Sequence, residues 1–285
     1  MSVIFTAYNR AEMIDEGLDA IARQEWSGSW EVLLVDNNST DGTGQRLREW
    51  AERMPVSAVV VQATDGQGPS FSRNAGARAA SGKNLAFIDD DDVIGEGWVA
   101  SMASALREHD VVGSMHDFTK LNPSELAATR HNQSTDLGSF YGIPVVSGGG
   151  AGCRRAVWER VGGSNTSFRT GQDIDFALRV ASLGDARVGF ASDAVYHVRL
   201  RSEASKGFGQ GERFGRAWVR LHAVHGDKVE YVGLSARAWG RRWLALALRM
   251  RKLRDPMQRR RWSFDVGYEL GRLHGAFTYR TWAGV

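Results

Sequence analysis

The apolar residues Leu85 to Ile88 run directly into four consecutive acids, Asp89 to Asp92, and this run constrains the fold more than any other part of the chain. The apolar half predicts a buried strand. In an extended segment alternate side chains share a face, so Asp89 and Asp91 are expected to point the same way, roughly 7 Å apart. Such like charges repel through a protein interior, and a divalent cation with oxygen ligands relieves the repulsion. The run therefore predicts a cation or ligand site, the plainer alternative being an acidic turn with Asp92 as a helix N-cap.

Short apolar runs alternate with amphipathic stretches in the first part of the chain, which is typical of βαβ units and a mostly parallel sheet. The stretch after the first strand predicts a helix with a capping box formed by Asn9 and Glu12, and Ser70–Ala80 predicts another helix. Residues 120–142 are polar and poorly patterned, which indicates a loop or lid. The predicted strands are Val3–Ala7, Glu31–Val35, Ala58–Val61 and Leu85–Ile88.

Polar clusters follow three of these strands, at Thr6–Arg10, Asp36–Asp41 and Asp89–Asp92. Ligands of open parallel sheets bind outside the carboxyl ends of the strands. The three clusters are therefore expected to line one site. The glycine-rich stretch 147–152 predicts either a close approach of the backbone to a ligand or neighbouring element, or a tight loop.

Charge is distributed unevenly along the chain. Residues 1–198 contain 17 Lys and Arg against 26 Asp and Glu, whereas residues 199–285 contain 19 against 7. The basic part, in which arginines alternate with tryptophans, predicts helices that meet something anionic: a phospholipid surface, a polyprenyl phosphate, a nucleic acid or the acidic body of a partner subunit.

The composition also indicates the compartment. The single cysteine, Cys153, excludes an internal disulfide and a cysteine zinc site, and favours a reducing compartment. The first residues enter a strand without the basic region of a signal peptide, and the longest apolar stretch near the C-terminus is too short to span a bilayer. The expected location is the cytoplasm, with peripheral contact at the inner face of the membrane.

Five short motifs, taken together, resemble the inverting glycosyltransferases of family 2 with the GT-A fold. The resemblance covers residues 2–200. It implies an α/β domain at 1–200, with a mostly parallel mixed sheet flanked by helices. The interleaved basic and aromatic residues that follow predict a basic helical extension at 201–285. The motifs are Thr6–Arg10, Val35–Thr43, Ser72–Gly76, Phe87–Asp92 and Gly171–Asp175.

This resemblance also implies a reaction and roles for single residues. A sugar would move from a nucleotide-diphospho-sugar, with UDP favoured, to a hydroxyl of a glycan or lipid-linked acceptor, with Mn²⁺ or Mg²⁺ as cofactor. Asp173 would be the catalytic base, Asp91 a metal ligand, and His197 an additional one. The donor would be held by Asp36 at the base, Asp89 at the ribose, Thr6, Ala7 and Tyr8 as pocket walls, and Arg10, Asn38, Arg73 and Asp90.

Two residues depart from the family's pattern. Gln172 stands where the family commonly has Glu, which removes a negative neighbour of the base. Asn37 stands where many relatives have a second Asp, which weakens any prediction of the nucleotide base. Arg199 and Arg201 are expected either to stabilise the diphosphate or to form a solvated basic face.

Other functions remain open on the sequence alone. Asp89 to Val93 also fit the nucleophile motif of haloacid-dehalogenase phosphatases, although that motif normally lies on the first strand and here three strands precede it. A nicotinamide dehydrogenase is disfavoured because no G-x-G-x-x-G motif follows the first strand. A non-catalytic nucleotide-sugar or glycan-binding module is a third possibility. A homodimer is a possible assembly, and a nucleic acid is the least favoured partner.

Overall fold

The structure, a computed structural model, describes residues 1–128, 133–200, 207–226 and 236–282. The chain divides into two compact units, Met1–Leu200 and Arg201–Val285. Arg201 lies outside the described residues, so its predicted role stays a prediction.

The described residues of the N-terminal unit form ten strands. They are β1 Ser2–Ala7, β2 Glu31–Asp36, β3 Ser57–Gln62, β4 Asn84–Asp89, β5 Val93–Ile94, β6 Val111–Asp117, β7 Gly138–Phe140, β8 Ile143–Val145, β9 Ala151–Arg154 and β10 Val188–His197. Eight of them form one sheet in the order β3-β2-β1-β4-β9-β6-β10-β5, and β7 pairs with β8. Strands β1 to β4 are parallel to their neighbours in that group, whereas β9 is antiparallel to β4 and β6. The predicted mostly parallel mixed sheet is confirmed.

Helices cover both faces of this sheet. They are α1 Ile14–Ala22, α2 Thr43–Arg53, α3 Pro69–Ala79, α4 Trp98–Glu108, α5 Ser124–Ala127, α6 Arg155–Arg160 and α7 Gln172–Ala181. Alternation along β1 sends Val3 and Phe5 into one core and Ile4 into the other. The central strands are therefore apolar on both sides, and polar side chains that could contact a ligand lie at their carboxyl ends.

Three predictions about local structure are wrong. Asn9 does not cap α1: its backbone is left-handed, with φ of 50°, and its side chain accepts a hydrogen bond from the N–H of Thr40. Asp92 does not cap a helix either, because it precedes β5 and the cap of α4 is Gly97. Residues 120–142 are not wholly loop, since they contain α5 and β7.

Three longer helices make up the described part of the C-terminal unit, α8 Gly207–His225, α9 Ala236–Arg249 and α10 Pro256–Tyr279. Helices α8 and α10 approach so closely that a Cβ on Gly211 would run into the carbonyl oxygen of Phe264, and one on Gly215 into that of Tyr268. Among the described residues, none of the helices combines the length and apolarity needed to cross a membrane.

Candidate functional site

The carboxyl ends of β1 and β4 meet at one edge of the sheet, as the sequence predicts. The N–H of Tyr8 donates to Asp90 Oδ2 at 2.8 Å, and Arg10 Nε donates to Asp90 Oδ1 at 3.3 Å. The hydroxyl of Thr6 lies 3.5 Å from Asp89 Oδ1. The loop after β1 is thus tied to the acidic loop after β4 by direct hydrogen bonds, and these predicted donor residues share one site.

Asp89 is held by a buried arginine. Arg73 Nη2 donates to Asp89 Oδ1 at 2.7 Å, and the Arg73 side chain is 5% exposed. A glycine pair makes room for both groups: a Cβ on Gly148 would lie 2.6 Å from the terminal nitrogens of Arg73, and one on Gly149 would lie 2.8 Å from Asp89 Oδ2. The glycine-rich stretch therefore lets backbone come close to the ion pair, the first of its two predicted interpretations.

The acids that follow do not continue the alternation of the strand. β4 ends at Asp89, where a turn begins. Asp89 therefore pairs with Arg73, whereas Oδ2 of Asp91 lies 3.5 Å from Nη2 of Arg10. The expectation that Asp89 and Asp91 point the same way assumed an extended chain, and it fails because the strand stops. The pKa of Asp90 is raised to about 7, mainly by burial and partly by the charge of Asp91, against the lowering effect of the hydrogen bond from Tyr8.

Asp92 is the most buried of the four acids. Its Oδ1 accepts from the N–H of Arg199 at 2.8 Å, and the hydroxyl of Tyr196 bonds its carboxylate. The pKa of Asp92 is raised to about 8, mainly by burial and partly by the charges of Asp91 and Asp89. Arg199 also donates from Nε to the carbonyl of Asp91 at 3.1 Å. It therefore anchors the acidic loop from the end of β10.

The loop after β2 is ordered by its own polar side chains. Asp36 is buried, and its Oδ1 accepts from the N–H of Ser39 at 3.1 Å. Asn38 has a left-handed backbone, with φ of 61°, and its side chain donates to the carbonyl of Ala63. Ala7 pairs in register with Asp36 across β1 and β2. Asn37 bonds Gly66 and Gly68, so the departure at this position has a structural role in fixing the loop before α3.

Asp173 lies in the first turn of α7, beside a pocket that Arg73, Gly148 and Gln172 also line. The cap of α7 is Gly171, with φ of 79°, so the alternative role of Asp173 as N-cap is wrong. Burial raises the pKa of Asp173, against the lowering effects of the Ile174 N–H and the Arg73 charge. A buried carboxylate whose proton affinity is increased is better suited to accept a proton than an ordinary surface one.

His197 is fixed by a carboxylate. Its Nδ1 lies 2.7 Å from Oδ2 of Asp117, and both side chains are almost fully buried. Burial would raise the pKa of Asp117, but hydrogen bonds from Thr119, His197 and the following backbone outweigh it and bring the pKa to about 2. An ionised carboxylate that orients one imidazole nitrogen leaves the other as an acceptor, the arrangement seen behind metal-bound histidines.

Asp91 and His197 are the two side chains predicted to bind a divalent cation. Among the residues that the structure describes, no group of three or more His, Cys, Asp or Glu side chains stands ready to hold a metal. A cation would need oxygens from the diphosphate as well. The pKa values of Asp90 and Asp92 are raised mainly by burial, and the charges of the neighbouring carboxylates contribute to the increase; a cation would offset that second contribution. The carboxylate of Asp91 together with phosphate oxygens would suit Mn²⁺ or Mg²⁺, whereas imidazole is a ligand more typical of Zn²⁺ and other transition metals.

Two residues of the site escaped the sequence analysis. Tyr196 accepts a hydrogen bond from the N–H of Asp89 at 3.0 Å, and Asp117 orients His197. Gln172, noted in the sequence as a departure, places a buried Oε1 without a hydrogen-bond partner at the pocket of Asp173. Tyr196 and Asp117 carry no local signal, because each reaches its partner across about eighty or more residues of chain.

Comparison with solved structures shows the class of fold. The mannosyltransferase PcManGT from Pyrobaculum calidifontis, in complex with GDP-Man and Mn²⁺, superposes with a TM-score of 0.69 at 21% identity, over 97% of this chain and 87% of that one. The S. aureus TarS 1–349 complex with UDP-GlcNAc gives 0.60 at 22% identity, over 98% and 92%. The N-terminal unit therefore has the GT-A fold.

Sequence comparison shows the family. A model described as glycosyl transferase family 2 matches residues 2–162. The glycosyltransferase AglE of Haloferax volcanii is 30% identical over 201 residues, which are 68% of this chain and 65% of that protein. The chain belongs to glycosyl transferase family 2, as the motifs predict. It spans from about half to about two thirds of the length of the first curated relatives that it matches.

Proposed function

We propose that this chain is a metal-dependent inverting glycosyltransferase that moves a sugar from a nucleotide-diphospho-sugar, with UDP favoured, to a hydroxyl of a glycan or lipid-linked acceptor. Synthesis of polysaccharide, cell-envelope glycan or another glycoconjugate is the proposed setting. The observation that carries the proposal is the position of Arg73. One buried guanidinium pairs with Asp89 of the acidic loop and lines the pocket of Asp173, so the candidate donor acids and the candidate base share a fixed neighbour.

On the donor side, the loops after β1, β2 and β4 supply the binding groups. Asp36, Thr6, Ala7 and Tyr8 would border the nucleoside, while Arg10 and Arg73 bring positive charge to a region rich in carboxylates. Asp91 and His197 would hold the cation. A divalent cation bound there would neutralise negative charge on the diphosphate as it leaves.

On the acceptor side, Asp173 would take the proton of the attacking hydroxyl. The hydroxyl oxygen then forms a bond to the anomeric carbon while the bond from that carbon to the diphosphate oxygen breaks, and the electron pair leaves with the diphosphate. Attack opposite the leaving group in one displacement inverts the anomeric centre. The buried position and raised pKa of Asp173 support its assignment as the base.

Two other functions have less support. A phosphatase would need Asp89 as a covalent nucleophile, but Asp89 ends the fourth strand in chain order and is paired with Arg73. Family membership also argues against it. A non-catalytic binding module would have no use for a base, so Asp173 in its pocket beside Arg73 favours catalysis.

A thermal-shift panel with UDP, GDP and TDP, each with Mn²⁺ and with EDTA, tests the donor assignment. A ligand at a hundred times its Kd stabilises the folded state by about 2.7 kcal/mol, which corresponds to an increase in Tm of about 5–10 °C for a chain of this size. One nucleotide should give such a shift with Mn²⁺, and Asp91→Asn should lose the Mn²⁺-dependent part. No shift with any nucleotide would overturn the proposal.

A further inference from the structure

One side of α9 presents leucines to water among arginines. Leu244 and Leu248 are 61% and 56% exposed. Arg237 and Arg241, also exposed, precede them on the same helix. The four residues follow one another at spacings of four, three and four, which places their side chains on one face. We call these four residues the α9 face. Exposed leucines are common singly, but two in one helical stripe need a reason.

The opposite side of α9 is packed on α10. Leu246 is buried, and its carbonyl accepts from the indole N–H of Trp262 at 2.7 Å. Arg249 pairs with Asp265 at 2.5 Å, and Arg242 with Glu269 at 3.2 Å. These contacts fix the rotation of the helix about its axis. The α9 face therefore points away from α10 because of specific bonds.

Charge indicates what could cover this face. Residues 236–254 contain seven Lys and Arg and no Asp or Glu. An anionic lipid surface matches both properties, since leucines enter the boundary of the acyl chains while arginines keep their guanidinium groups among the phosphates. A nucleic acid would match only the arginines, because a phosphate backbone gives leucine side chains nothing to bury against.

We propose that the α9 face docks on an anionic lipid leaflet. The docking involves neither the donor site nor Asp173, so it goes beyond the proposed function and holds or fails independently of it. For a transferase acting on a lipid-linked acceptor, such docking would hold the enzyme at the surface where that acceptor lies.

Vesicle co-sedimentation of the full chain tests the docking. The protein should bind phosphatidylcholine vesicles that contain about a third phosphatidylglycerol, bind pure phosphatidylcholine weakly, and lose affinity as salt rises. The double variant Leu244→Ser/Leu248→Ser should bind at least about tenfold more weakly, because two apolar side chains no longer enter the lipid. Arg237→Gln/Arg241→Gln should bind about thirtyfold more weakly, at about 1 kcal/mol for each arginine.

Leu270→Ser provides the matched control, since Leu270 is an exposed leucine of the same unit on α10. It should bind like the wild type, and circular dichroism should show that all variants remain folded. If the leucine variant unfolds, the arginine variant gives the answer alone. The proposal would be overturned if all variants bound vesicles equally or if the protein did not prefer the anionic vesicles. It would also be overturned if the leucine variant instead lost self-association in light scattering, or if the variants selectively lost DNA binding.

Discussion

Replacing Gly148 with alanine tests whether one buried arginine holds the two halves of the site. The new Cβ would lie 2.6 Å from both terminal nitrogens of Arg73 and 2.7 Å from its Cζ. Gly148 is not among the residues with positive φ, so its backbone accepts alanine and the effect comes from the methyl group. The guanidinium is buried and bonded to Asp89 at 2.7 Å. It can make room only by leaving that carboxylate.

The expected cost combines two contributions. Inserting a methyl group into a packed site costs about 1–3 kcal/mol, and losing a hydrogen bond to a charged group costs about 1.5–3 kcal/mol. Because the second loss relieves part of the first, we expect Gly148→Ala to lower the free energy of unfolding by about 2–4 kcal/mol. Nucleotide affinity should fall at least about tenfold, which is 1.4 kcal/mol, as Arg73 and Asp89 move apart.

Urea denaturation and calorimetric titration with the best nucleotide of the panel measure both effects. Gly138→Ala is the matched control, because the nearest atom to its new Cβ would be 4.0 Å away. The reasoning is refuted if Gly148→Ala and Gly138→Ala unfold at the same urea concentration and bind the nucleotide equally well.

Three further predictions concern the base, the C-terminal unit and the acidic loop. Asp173→Asn should keep donor affinity, but its rate of sugar transfer, measured as the rate of nucleotide release, should fall about a hundredfold or more. Unchanged turnover would exclude Asp173 as the base. Gly211→Ala should destabilise the C-terminal unit by about 3 kcal/mol or more in calorimetry because its Cβ meets the Phe264 carbonyl, whereas Gly209→Ala, whose nearest contact is 3.5 Å away, should not destabilise it. The pKa of Asp92 is raised from 3.8 to about 8 in the folded state. Between these pH values the metal-free folded state therefore binds more protons than the unfolded state, and its stability falls as pH rises. Asp92→Asn should flatten this dependence of Tm on pH, and an unchanged slope would contradict the raised pKa of Asp92.

The fold was largely predictable because its strands are marked by local apolar runs. The four predicted strands agree with β1 to β4 to within about one residue at each end. β1, β2 and β4 are buried on both faces, which requires uninterrupted apolar residues, whereas the edge strand β3 is partly exposed but keeps a short apolar run. The fold class and family followed from the polar motifs at the strand ends. The capping box failed because Asn9 bonds Thr40, a partner that only the folded loop brings near.

The sequence predicted the charged residues of the site better than the residues that hold them in place. Asp90 meets Arg10 and Asp89 lies beside Thr6, as expected, because parallel strands bring their carboxyl ends to one edge. Tyr196 and Asp117 were missed, since a tyrosine or aspartate in an apolar strand has no distinguishing pattern until its partner is known. The roles assigned to the site residues stay predictions until ligands are bound.

The most direct test of the central claim is the anomeric configuration of the first product. With Mn²⁺ and either UDP-GlcNAc or GDP-mannose, whichever nucleotide the panel selects, NMR can follow the sugar that the enzyme slowly transfers to water. Both donors carry the sugar in α linkage, so direct displacement assisted by Asp173 predicts that the β anomer is released first and that Asp173→Asn releases almost none. Initial release of the α anomer, or equal release by the variant, would contradict the account.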